Sequence, residues 1–65
     1  MKTLATIVRD KRLKKHLSQT KLAELINRSP QLICDIEAGR KKPSRDTIIR
    51  IAKILELSLD KIFLQ

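Results

Sequence analysis

The sequence predicts an all-α fold of five short helices in a single domain. Three observations lead there. Apolar residues recur at intervals of three and four along almost the whole chain. Each of the four serines stands just before such a segment. No stretch alternates apolar and polar residues as a half-buried strand does. The spacing places helices at 3–15, 19–26, 30–38, 45–55 and 59–64.

The first helix carries Leu4, Ile7 and Val8 on one stripe. Ser18 is the N-cap of the second, where Leu22 and Ile26 lie four apart and the small Ala23 beside Leu22 lets another helix cross closely. Asn27, the best non-glycine residue for a left-handed turn, separates it from the third. Ser29-Pro30 is a helix start: the serine hydroxyl caps free backbone N–H groups, and proline at the first helical position has no N–H to leave unpaired. Ile33 and Ile36 form the buried side of this third helix, and Gly39 closes it as a C′ residue. Pro43 forbids continuation and Ser44 restarts the chain. The fourth helix buries Ile48, Ile51, Ala52 and Leu55. Ser58 then precedes a fifth with Leu59, Ile62 and Phe63. The segment 19–38 is therefore two short helices joined by a tight turn, an arrangement whose second helix fits the major groove of DNA.

Composition narrows the function. Fifteen Lys and Arg against seven Asp and Glu give a net charge of +8 on 65 residues, a footprint for polyanions, nucleic acid before an anionic membrane surface. A chain this short buries only about 60% of its unfolded surface, so its ten Leu and nine Ile must do most of the packing. Phe63 is the one aromatic residue, which argues against modules that stack single-stranded bases on aromatic rings. One cysteine, Cys34, excludes an internal disulfide, and with the single His16 it cannot build a zinc site. No cofactor, metal or small-molecule ligand is expected. No apolar run spans a bilayer and no signal peptide opens the sequence, so a soluble, cytoplasmic protein is expected. A catalytic reading lacks its parts: no carboxylate pair, triad or glycine-rich loop is present, and His16 falls in a turn.

Two charges fall on apolar stripes. Arg12 continues the stripe of Leu4 and Val8, and Glu37 that of Ile33. A lone charge facing a small core is costly, so the two are expected to form an ion pair joining the first helix to the third.

The segments LSQTKLAELI, SPQLICDIEAGRKKPS and TIIRIAKILELSLDKIF resemble the lambda-repressor/Cro-type helix-turn-helix family, also called the xenobiotic-response-element type, over nearly the whole chain. The pattern comprises Gln19 opening the second helix, Leu22-Ala23 within it, Ile33 to Gly39 in the third, and Pro43-Ser44 before the fourth. The resemblance implies five helices and binding of double-stranded DNA at a palindromic operator, as a homodimer regulating transcription, a small repressor or Cro-like regulator. The sequence departs from the pattern at His16 and Asn27, where such proteins usually carry glycine. It departs again at Arg28, a commonly apolar position, and at Leu25, a commonly polar one.

On this reading the third helix presents Pro30, Gln31, Leu32, Cys34 and Asp35 away from its buried side. Gln31 is the best base reader, through adenine N6 and N7; Leu32 suits a thymine methyl and Asp35 a cytosine N4. Family position adds Ser29. Phosphate contacts are expected from Ser18 and Gln19 at the start of the second helix, from Arg28 in the turn, and from Arg40, Lys41, Lys42 and Arg45 after the third. The run Arg9, Lys11, Lys14 and Lys15 reads equally as a solvated face. Cys34 has no basic neighbour on its helix and reads as a small packing thiol rather than a nucleophile. A surplus of apolar residues near the C-terminus points to a dimer interface at Leu57, Phe63 and Leu64. The sequence from Met1 to just past the fifth helix reads as complete, the alternative being the amino-terminal part of a longer repressor. Two other classes stay open: a helical protein–protein module, antitoxin-like or an anti-repressor partner, favoured by Leu25 and Leu32; and a membrane-surface or nonspecific polyanion binder, suggested by charge alone.

Overall fold

The computed structural model describes residues 3–58, which hold four α-helices and no strand. These are α1 (Leu4–Lys14), α2 (Gln19–Leu25), α3 (Pro30–Glu37) and α4 (Arg45–Leu55). They agree with the expected spans to within a residue at each end. The differences arise because terminal residues act as caps: Thr3 and Lys15 flank α1, Ile26 follows α2 and Ala38 follows α3. The expected helix at 59–64 lies outside the described residues, as do Phe63 and Leu64.

Every helix starts in the same way. Thr3, Ser18, Ser29 and Ser44 each sit in extended backbone, and each hydroxyl oxygen accepts the N–H three residues on, at Thr6, Lys21, Leu32 and Thr47. One of the orphan donors at each helix start is thereby satisfied.

The ends are equally uniform. His16, Asn27, Gly39 and Glu56 all adopt left-handed backbone, with φ of 58°, 58°, 77° and 57°. The next residue in each case donates its N–H five residues back: Leu17 to Arg12, Arg28 to Ala23, Arg40 to Asp35 and Leu57 to Ala52, at 2.9–3.1 Å except the shorter 2.8 Å at Arg28. This is the Schellman closure, which satisfies helix-end carbonyls and turns the chain back over the helix. His16 and Asn27 therefore take the left-handed conformation at the positions where glycine is usual.

The core is aliphatic. Val8 from α1, Leu22 and Ala23 from α2, Ile26, Ile33 and Ile36 from the helix-turn-helix, and Ile51 and Leu55 from α4 form one buried cluster. Leu4, Leu17, Leu32, Ile54 and Leu57 pack against it while half-buried. Leu32, expected to offer its side chain to a thymine methyl, is thus partly taken up by the core. Leu57 likewise leans on the core, which leaves less of it for a second copy of the chain.

Candidate nucleic-acid interface

The outer side of α3 begins at its cap. Ser29, Pro30 and Gln31 are exposed. The Ser29 oxygen accepts Leu32 N–H at 3.2 Å, which leaves the hydroxyl proton free to donate outward. Ser18, exposed at the start of α2, caps Lys21 N–H at 2.9 Å in the same manner.

Asp35 is placed differently from the expectation. It is 7% exposed, and its carboxylate is already occupied. Oδ1 accepts Gln31 Nε2 at 3.1 Å and Arg40 Nε at 2.9 Å, and Lys41 Nζ lies 3.8 Å from Oδ2. The Arg40 guanidinium, and after it the Gln31 amide, hold the carboxyl below its ordinary range. Asp35 is therefore poorly placed to accept from cytosine N4, since most of its carboxylate is committed within the domain. The physical reason is the Gly39 turn, which folds Arg40 and Lys41 back onto the end of α3. Arg40 also points Nη2 at Cys34 Sγ, 3.4 Å away. Lys41, Lys42 and Arg45 are exposed beside it. A base-reading candidate and the basic run after α3 thus meet at one oxygen.

Gln19 is likewise turned inward. Its Nε2 donates to Glu37 Oε1 at 3.2 Å, so the side chain is engaged within the domain, while its backbone N–H lies at the start of α2. Glu37 also receives Arg12: Nε to Oε2 at 2.7 Å and Nη2 to Oε1 at 3.0 Å. The third guanidinium nitrogen, Nη1, donates to the Leu17 carbonyl at 2.7 Å. The two charged side chains are 10% and 5% exposed. The hydrogen bond to Glu37 raises the Arg12 pKa further above its ordinary value. The structure thus brings Arg12 and Glu37 together, adds Gln19 to them, and fixes α1 and α2 against the end of α3.

Arg28, expected to be open to a phosphate, staples the turn instead. Its Nη2 donates to Asp46 Oδ2 at 2.9 Å and its Nη1 to the Asn27 carbonyl at 3.0 Å. Arg50, unremarked in the sequence, completes this staple: Nη1 donates to the Ile26 carbonyl at 3.1 Å and Nε sits 3.2 Å from Asp46. The Asp46–Arg50 spacing of four on α4 is a signal for one contact, but Arg28 to Asp46 depends on the tertiary fold.

Among the described residues no group of His, Cys, Asp and Glu is placed to hold a metal ion, and no helix is long and apolar enough to cross a membrane.

A family model described as helix-turn-helix matches residues 8–62. Among curated proteins, the ImmF control region 10 kDa protein of Bacillus phage phi105 is 42% identical over 59 residues, which cover 91% of this chain and 66% of that protein. Among solved structures, the clp gene regulator ClgR from Corynebacterium glutamicum superposes with a TM-score of 0.84 at 26% identity, over 94% of this chain and 65% of that one. The chain therefore spans about two thirds of the length of each relative. With the capped turn, the packing of α2 on α3 and the matched span all in agreement, the chain belongs to the helix-turn-helix family of lambda-repressor type, a family of DNA-binding transcription regulators and not of enzymes.

Proposed function

We propose that this protein binds a palindromic operator in double-stranded DNA as a homodimer and regulates transcription in the cytoplasm, as a small repressor or Cro-like regulator. The observation that carries the reading is the first turn of α3, where Ser29, Pro30 and Gln31 are exposed next to the exposed basic run Arg40, Lys41, Lys42 and Arg45. Gln31 reads a base edge, the basic run and the Ser18 hydroxyl hold phosphates, and Asp35, Gln19 and Arg28 support the frame. Base readers are few, so phosphate contacts and DNA shape carry much of the affinity.

In-vitro selection from random duplexes tests this directly, and enrichment of one palindrome is the expected result. Gln31→Ala then weakens binding to the enriched sequence by about 1–3 kcal/mol with little loss on random DNA. Lys41→Ala weakens binding to all sequences alike and flattens the dependence of log K on log salt by about one. Equal losses on both DNAs for Gln31→Ala would mean that α3 does not read bases.

One observation favours a protein–protein module instead. Leu25 is 45% exposed and borders a shallow groove of about 290 Å³ with Ile26, Asn27, Arg50, Lys53 and Ile54. Absence of any salt-dependent DNA binding in the same selection supports that alternative.

A further inference from the structure

We infer that Asp35 is a positioning residue that sets which purine Gln31 accepts, favouring adenine over guanine by holding one N–H of the Gln31 amide. This rests on the reading of α3 as the base-reading helix and concerns how that helix discriminates.

The argument starts from the donor inventory. A carboxylate only accepts hydrogen bonds, whereas a glutamine amide has two N–H donors at one end and an acceptor oxygen at the other. With Nε2 donating to Asp35 Oδ1 at 3.1 Å, the nitrogen end of the Gln31 amide is fixed toward α3's own carboxylate. A flipped amide would set oxygen against oxygen. Asp35 is itself held still. Its carboxylate takes Arg40 Nε at 2.9 Å, and its backbone carbonyl accepts the N–H groups of Arg40 at 2.9 Å and Lys41 at 3.3 Å. The anchor is buried and multiply hydrogen-bonded, while the reader is exposed.

One N–H and the Oε1 acceptor of Gln31 remain for a base. Adenine presents N7 as acceptor and N6–H as donor in the major groove, which matches that pair. Guanine presents two acceptors, N7 and O6, and needs two donors. One of those is engaged by Asp35. Guanine at the contacted position must therefore leave an acceptor unpaired or strip Gln31 from its anchor, and either is unfavourable.

The test is competition between two duplexes, the selected operator and the same operator with guanine in place of adenine at the position sensitive to Gln31→Ala. Both compete for the same protein sample, so their affinity ratio does not depend on the folded fraction. The expected ratio is about tenfold in favour of adenine for the wild-type chain. Asp35→Ala is expected to remove most of that preference, and to add nothing further in a Gln31→Ala background. Asp35→Asn keeps an acceptor oxygen at the same place and is expected to retain most of the preference, which separates the hydrogen bond from the charge. An undiminished ratio in Asp35→Ala overturns the positioning role while leaving base reading by Gln31 intact. If Gln31→Ala itself changes no base preference at any position, base reading fails, and the role of Asp35 falls with it.

Discussion

Arg12 uses all three of its guanidinium nitrogens inside the domain, two on Glu37 and one on the Leu17 carbonyl, and Glu37 takes Gln19 as well. Three helices and the turn after α1 are thus tied through two nearly buried charges. Among the described residues no buried side-chain nitrogen or oxygen lacks a partner, so the network is complete. Removing one member strands the other: Arg12→Met or Glu37→Met is expected to cost roughly 3 kcal/mol, the low end for a buried pair, because both side chains keep slight access to water. Arg12→Met combined with Glu37→Met should recover much of that loss, though not all, since Leu17 and Gln19 then lose their partners. A thermal-melt cycle measures this, and strictly additive losses would count against a coupled pair. Arg12 and Glu37 were readable from sequence because each interrupts an apolar stripe. Asp35 was not, since a helical wheel ends with its helix. The partners that draw Asp35 inward lie beyond Gly39, where the chain doubles back. Gln19 to Glu37 and Arg28 to Asp46, each 18 residues apart, were hidden for a related reason: only packing of the helices brings them together.

At the scale of the element, the starts and stops are local instructions. The serines marked the starts of α2, α3 and α4, and Asn27, Gly39 and Pro43 marked two of the ends, because cap chemistry acts over three or four residues. Glu56 carried no such signal. Its left-handed backbone is imposed by the closure of α4 on Leu57, not by any preference of glutamate. His16 and Glu56 therefore hold a conformation that costs a side-chain-bearing residue roughly 1 kcal/mol. Changing either to glycine is expected to raise stability by about 0.5–1 kcal/mol, despite loss of the exposed Lys15–Glu56 contact at 3.3 Å, which is worth little. Gly39→Ala is expected to act in the opposite sense by about 1 kcal/mol. An added Cβ at Gly39 meets no atom within 4 Å, so the cost is one of backbone and not of crowding. Chemical denaturation of the three variants checks both signs, and a destabilised His16→Gly would show that the imidazole contributes more than its backbone strain.

At the scale of the whole molecule, the proposed operator binding calls for more than one small domain. On the proposed function a single α3 would offer few base contacts, and a second copy related by a two-fold axis would double the readout. It would place the two reading helices about 34 Å apart along one DNA face. The apolar surplus of the sequence from Ile54 onward is the reason to expect that contact, with Leu57 at its margin because it already packs on the core. Sedimentation at high micromolar concentration, with and without the selected operator, is expected to show two protein chains per duplex. One chain per duplex, together with a monomer in free solution, would sink the dimer. The family and the helix boundaries were legible at this scale since they are written in short, local patterns. An assembly depends on surface shape, which no periodicity records.

Arg12 and Glu37 stand 25 residues apart along the chain, and this has a consequence in time. The caps close within a few residues, whereas the Arg12–Glu37 clasp needs α1 and α3 brought together and is expected to form after the folding barrier. An unchanged refolding rate in Arg12→Met would check this. Interactions made after the folding barrier slow escape from the native state without hastening arrival there. The clasp is then a latch on lifetime. Without it the domain would fold about as quickly, yet open on the order of a hundredfold more often, which is what a loss of roughly 3 kcal/mol means when it falls entirely on the unfolding rate. The folded state gains its persistence from a contact buried away from the exposed start of α3.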